Sequence, residues 1–145
     1  MLLHFLWYNL YCVKCDEVIF FHDNYIPVHL QSGDRILTDA PKDNEGKGEA
    51  FSPTDLVATS LASCMISVMG IKARHHGIDI NGTKADVVKD MGVNPRHINA
   101  IRINIYFPQT YSKKERELLE RTAHTCPVGN SLSENLEEDI TFHYP

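Results

Sequence analysis

The sequence lacks any dense cluster of lysine and arginine, and this absence argues against a nucleic-acid binder. Its 14 basic residues are outnumbered by 19 acidic ones, for a net charge of -5, so no segment could neutralise a run of phosphates. The chain also has no phosphate-cradling glycine loop, no serine nucleophile elbow and no H-x-x-x-H pair. Phosphoryl transfer and serine hydrolysis therefore have no support.

Cysteine is scarce as well, with four residues scattered over 145. That is too few for the disulfide framework of a small secreted domain, so thiols used for chemistry in a reducing cytoplasm fit better. The apolar start, residues 1–8, has no basic segment before it and no cleavage site after it. It is also shorter than the roughly 20 apolar residues of a membrane span. We expect a cytoplasmic protein without a membrane partner and without a cofactor.

The order of patterns along the chain predicts an α+β fold, with a largely antiparallel sheet against one long central helix. Its length fits one domain. Alternation and turn signals predict strands, and capped periodic runs predict helices. The expected elements are strands at 18–21, 25–30, 35–38, 83–89 and 101–107, helices at 53–76, 112–123 and from Cys126, and a last strand around Ile140 and Phe142.

The predicted central helix, 53–76, has no charged residue between Asp55 and Lys72. We therefore expect little of it to face water. Apolar residues recur at helical spacing on one side, among them Val57, Leu61, Cys64, Val68 and Ile71, with Ala58, Ala62, Met65 and Met69 beside them. Another side carries small residues that would let a second helix approach closely, namely Ser60, Ser63, Ser67 and Gly70.

Two cysteines lie in very different surroundings. Cys126 precedes Pro127 at the expected start of a short helix, where free N–H groups favour a thiolate. Cys64 lies in the middle of the long helix, where neither end of the helix dipole helps. Local reasoning thus favours Cys126 as the activated thiol. A structural interpretation stays open for both, since a cysteine on an apolar helix is often just a small buried side chain.

The other two cysteines, Cys12 and Cys15, form a C-x-x-C pair. Such a pair is a redox motif, half of a zinc site, or a coincidence of spacing. Zinc would need two more ligands, and His4 and His22 are the available ones at no recognised spacing. A zinc-binding interaction module therefore stays open as a third function, although we expect no metal.

Several of these motifs together resemble the OsmC/Ohr family of osmotically inducible and organic-hydroperoxide-resistance proteins. They are 38–41, 48–56, 62–64 and 124–132. The resemblance covers 25–145 and leaves 1–24 as an extension. It implies an intertwined homodimer whose long helices pack together. It also implies a thiol peroxidase in which Cys64 attacks a hydroperoxide, Cys126 closes a disulfide, and an external dithiol reduces it. Against the local argument, the resemblance assigns the attack to Cys64.

One position departs from the family pattern. Hydroperoxide-resistance members activate the attacking thiol with an Arg and a Glu, the Glu directly after the Pro that opens the helix. This chain has Thr54 there. The resemblance leaves Arg35 and Glu49 as candidate activating residues and points to the broader OsmC-like branch. The alternative function is a dimeric redox-sensing or ligand-binding protein without efficient turnover.

Overall fold

A computed structural model describes residues 16–21 and 24–145 of the chain. The chain divides into two units, Met1–Ser52 and Pro53–Pro145. The C-x-x-C pair and its possible zinc partners, Cys12, Cys15, His4 and His22, lie outside the described residues, so their roles stay predictions.

The N-terminal unit contains a β-hairpin. Strands β1 (Asp16–Phe21) and β2 (Asn24–His29) pair antiparallel. The predicted third strand, 35–38, is wrong: only Arg35 and Thr38 form bridges, each an isolated one. Ile36 donates to the Pro27 carbonyl at 3.1 Å, but Pro27 has no N–H with which to return the bond. The ladder cannot continue past that pair.

The loop after this segment is held by the carboxylate of Asp39. Its Oδ2 accepts from the Glu49 N–H at 3.0 Å, and this and neighbouring backbone hydrogen bonds lower the pKa of Asp39. The loop also folds tightly on itself, because a Cβ at Gly46 would lie 1.7 Å from the Ala40 carbonyl oxygen. Only glycine fits there.

Helix α1 spans Pro53–His76, as predicted. Its buried side carries Ala58, Leu61, Ala62, Met65, Met69 and Ala73. The expectation that little of α1 faces water is wrong for the single chain: Ser60, Ser63 and Ser67 are exposed, and Ile71 is 50% exposed. Within its unit, α1 packs against helix α2 (Lys113–Ala123) and strands β3 (Lys84–Gly92) and β4 (His97–Tyr106), which cover one side. Among the described helices, α1 alone is long and apolar enough to cross a bilayer, a property shared by core helices of soluble proteins.

The C-terminal unit is built on a three-stranded sheet in the order β3-β4-β5. Its strands are β3 (Lys84–Gly92), β4 (His97–Tyr106) and β5 (Glu137–His143). β3 and β4 pair antiparallel, and β4 and β5 pair parallel. A parallel pair needs a long crossover, and the segment with α2 supplies it. On β4 the buried residues Ile101, Ile103 and Ile105 alternate with partly or fully exposed ones, as predicted.

Helix α2 spans Lys113–Ala123 and begins with the predicted capping box. Ser112 Oγ accepts from the Glu115 N–H at 3.4 Å. In return, the Ser112 N–H donates to Glu115 Oε2 at 2.8 Å. These bonds to Ser112 lower the pKa of the Glu115 carboxyl. Both free donors at this helix start are thus satisfied.

We expect Ser112→Ala to lower the free energy of unfolding by about 1 kcal/mol, the usual cost of losing a serine N-cap. Urea denaturation followed by circular dichroism measures it. Ser112→Asp, which keeps a side-chain acceptor at the cap, is the matched control and should cost much less. Equal losses in both variants would contradict the capping role.

The end of the chain closes an aromatic cluster over this part of the core. The ring of Phe107 stacks on Tyr144, with centroids 4.8 Å apart, and meets Tyr111 edge-on at 5.4 Å. Tyr144 also donates to Glu120 Oε1 at 2.9 Å, and the Arg116 guanidinium lies over its ring. Burial raises the pKa of Tyr144. The cluster therefore ties the segment after β5 to α2.

Candidate thiol site

Cys64 lies in the middle of α1, next to the buried side of that helix. Leu61 before it and Met65 after it are 0% and 1% exposed, whereas Cys64 is only half-buried. Its thiol stands where the packed side of α1 gives way to the exposed side. A sulfur there is supported by the core and can still be approached by a reactant.

Cys126 lies in the turn that follows α2. Its N–H donates to the Ala123 carbonyl at 3.2 Å, and its own carbonyl accepts from the Asn130 N–H at 3.1 Å. The residue is 1% exposed. Its sulfur accepts a hydrogen bond from the Gly129 N–H at 3.2 Å. The turn thus holds a buried thiol in one orientation and gives it one donor that favours negative charge.

The fold brings the two predicted cysteines together. Cys64 lies close enough to Cys126 to raise the pKa of its thiol, and neither cysteine is part of a disulfide. A half-buried thiol beside a fully buried one can form a disulfide if one sulfur is first oxidised.

The environment of Cys126 differs from the one expected from the sequence. Burial raises the pKa of the Cys126 thiol, and the hydrogen bond with Cys64 also raises it, while the Gly129 N–H acts in the opposite direction. The predicted short helix is a 3₁₀ segment of three residues, Gly129–Ser131. So short a helix supplies little dipole, and desolvation of the thiolate dominates. The argument that made Cys126 the activated thiol is therefore wrong.

Sequence reasoning missed one charged neighbour of this site, Glu138 on β5. A Cβ added at Gly129 would lie 3.5 Å from Cys126 Sγ, 3.5 Å from Leu61 Cδ1 and 3.6 Å from Glu138 Oε1. The alternation in β5 places Glu138 on the same face as the inward Ile140, but no signal in the sequence places that face beside the thiol. His124, two residues before Cys126, caps the end of α2 and is exposed.

The candidate activating residues, Arg35 and Glu49, belong to the N-terminal unit and are both exposed. Their roles toward Cys64 stay predictions. In the C-terminal unit, Asp55 forms an ion pair with Lys89, whose side chain is 14% exposed. The carboxylate of Asp55 at the start of α1 is therefore paired with the ammonium group of Lys89 on β3.

No group of three or more metal-binding side chains occurs among residues 16–21 and 24–145.

Comparisons with known proteins identify relatives of this chain by sequence and by fold. The family model for OsmC-like proteins matches residues 46–140. A solved structure from Psychrobacter arcticus 273-4, assigned provisionally to osmotic stress induction and the detoxification response, is 46% identical. The match covers 90% of this chain and 96% of that one, with a TM-score of 0.87.

Two more distant structures share the fold. An organic hydroperoxide resistance protein OsmC from Legionella pneumophila is 17% identical over 90% of this chain and 97% of that one, with a TM-score of 0.71. An organic hydroperoxide resistance protein from Elizabethkingia anophelis is 17% identical over 94% and 100%, with a TM-score of 0.69. No protein with a curated function matches the chain significantly. The family model and the Psychrobacter match together show that this chain belongs to the OsmC family.

Proposed function

We propose that this protein reduces organic hydroperoxides with its two thiols. The observation that carries the proposal is the contact between two free cysteines, Cys64 half-buried and Cys126 fully buried. A thiol that a reactant can approach suits attack on a peroxide. A protected second thiol beside it suits closure of a disulfide.

In the first step, the Cys64 thiolate attacks one oxygen of the hydroperoxide. The O–O bond breaks, the leaving alkoxide takes a proton and departs as the alcohol, and Cys64 becomes a sulfenic acid. In the second step, the Cys126 sulfur attacks the Cys64 sulfur. An S–S bond forms, the S–O bond breaks, and the released hydroxide leaves as water with the proton of Cys126. An external dithiol then returns two electrons and two protons.

The residues around Cys126 suit the second step. Burial disfavours the thiolate of Cys126 and so raises the pKa of this thiol. The Gly129 N–H, 3.2 Å from the sulfur, offers a donor to the charge that develops there. A thiol that stays protonated until Cys64 is oxidised is spared from oxidation itself.

Names of related proteins support the same chemistry. The structures from Legionella pneumophila and Elizabethkingia anophelis are organic hydroperoxide resistance proteins, and the first is also called a predicted redox protein. A Vibrio cholerae structure, assigned provisionally to the same resistance, holds captopril in one of its active sites.

We also propose a second copy of this chain as the cover of the exposed side of α1. Ser60, Ser63 and Ser67 are small and exposed there, and Ile71 is 50% exposed. Small residues allow a helix to approach closely, and burying a large apolar side chain favours association. The homodimer that the family resemblance implies would use this side.

Replacing Cys64 with serine tests the function directly. We expect wild type to consume a bulky hydroperoxide such as cumene hydroperoxide through many turnovers with a dithiol donor, and Cys64→Ser to consume none above the background. Peroxide loss is followed by a colorimetric assay. Cys12→Ser and Cys15→Ser are matched controls and should turn over like wild type.

Unchanged turnover in a folded Cys64→Ser protein would overturn the proposal. A wild-type protein that forms its disulfide with one equivalent of peroxide but does not turn over would favour the alternative, a redox-sensing protein. Thr54 at the position of the family glutamate is the feature that favours this second function.

A further inference from the structure

We propose that Glu138 determines which reactants the thiol pair accepts, because its carboxylate disfavours anionic ones. The inference rests on the proposed function, because it uses Cys64 and Cys126 as the reactive groups. Glu138 is not needed for any covalent step. Its role is to make neutral or cationic peroxides and thiol reductants better partners than negatively charged ones.

The position of Glu138 follows from Gly129, which lies between it and the thiol. Cys126 Sγ and Glu138 Oε1 lie 3.5 and 3.6 Å from the point where a Cβ on Gly129 would be. The two atoms are therefore separated by no more than about twice that distance. Since Gly129 has no side chain, none of its own atoms intervenes there between the carboxylate and the sulfur.

Within the unit Pro53–Pro145, the charge of Glu138 has no partner in an ion pair, and the residue is exposed. Its neighbour Asp139 points to the other side of the sheet, where its carboxylate lies 3.9 Å from Arg102 Nε. Lys89 lies in the same row of the sheet as Glu138, with Ile101 between them. Its ammonium group pairs with Asp55.

A single uncompensated charge at this range has a measurable effect. Two unit charges several ångströms apart near a protein surface interact appreciably at low ionic strength, although water screens the charge of an exposed carboxylate. We expect this interaction to change the relative rate of a charged reactant about threefold. Salt screens the interaction, so the effect shrinks as ionic strength rises.

Two alkylating reagents of nearly equal size and different charge test the inference. The reduced protein is treated at low salt with iodoacetate, which is anionic, or iodoacetamide, which is neutral. The extents of modification of Cys64 and Cys126 are read from their peptides by mass spectrometry. We expect Glu138→Gln to raise the iodoacetate-to-iodoacetamide rate ratio about threefold, most at the cysteine nearer the carboxylate. High salt should remove the difference from wild type.

Two control variants isolate the charge and the place. Glu138→Asp keeps the charge and should keep the wild-type ratio. Glu137→Gln removes the same charge from the opposite side of β5, where the residue is exposed, and should also keep it. An unchanged ratio in Glu138→Gln, or an equal rise in Glu137→Gln, would overturn the inference. Because alkylation of the two cysteines involves no peroxide, these outcomes are independent of whether the protein reduces peroxides.

Discussion

Replacing Cys126 with serine should leave Cys64 with no partner to close on, so that peroxide drives it to sulfinic acid. In the proposed mechanism, the disulfide of wild type forms first and blocks further oxidation. We expect an excess of hydroperoxide, without reductant, to leave wild type lighter by two hydrogen atoms. It should leave Cys126→Ser heavier by two oxygen atoms. Serine keeps a side-chain acceptor for the Gly129 N–H, which lies 3.2 Å from the native sulfur.

Intact-mass spectrometry before and after peroxide measures both products, and peptide mapping assigns the oxygen atoms to Cys64. The change in product should be nearly complete, because sulfinic acid does not return to the thiol. Cys15→Ser, which removes a cysteine outside the described residues, is the control and should give the wild-type disulfide. A stable Cys64 thiol in Cys126→Ser after excess peroxide would contradict the prediction.

Replacing Phe107 with alanine should have the largest effect on stability, a loss of about 4 kcal/mol in the free energy of unfolding. The ring is 5% exposed and packs against Tyr111, Phe142 and Tyr144. Its removal opens a cavity at the centre of a cluster that joins the end of β4 to the segment after β5. Urea denaturation followed by far-ultraviolet circular dichroism measures the loss.

Tyr106 provides a matched control for Phe107. It is the preceding residue and also aromatic, but it points to the other side of the sheet and is 40% exposed. It stacks on His143 with centroids 4.6 Å apart. Tyr106→Ala should cost about 1 kcal/mol, as partly exposed positions usually do. Comparable losses in the two variants would show that the aromatic cluster contributes less than its burial indicates.

The parts of the fold that could be predicted are those in which several local signals agree. The bounds of α1 follow from Pro53 at the first helical position and from Gly77, whose φ of 66° is one that glycine adopts more readily than residues with a side chain. The alternation in β4 places Phe107 inward and Tyr106 outward because side chains on a strand alternate strictly. For these elements tertiary packing reinforces the local preference.

The predictions that failed depend on neighbours distant in sequence. Whether Ser60 or Ile71 faces water depends on what packs against α1, and the described unit covers one side only. The pKa of Cys126 depends on burial by elements that its own segment does not reveal. The wrong prediction of a strand at 35–38 has a different cause. The missing N–H of Pro27 is visible in the sequence once the pairing of Pro27 with Ile36 is known.

The residues of the candidate site also differ in how far the sequence could predict them. Its two sulfur atoms could be named from motifs, because each lies in a distinctive local sequence. Glu138 could not be named in this way, because its place beside Gly129 and near the Cys126 sulfur does not follow from its own segment. The alternation in β5 placed it inward, but only the folded chain puts that inward position beside a thiol.

The parallel pairing of β5 with β4 has a consequence for how the chain acquires its reactive centre. Cys126 is carried on the crossover between these strands, and that crossover is fixed at one end by α2 on α1 and at the other by β5. Long-range pairings of this kind form slowly compared with local structure. We therefore expect the two sulfurs to meet late in folding, after this crossover has packed between α1 and β5.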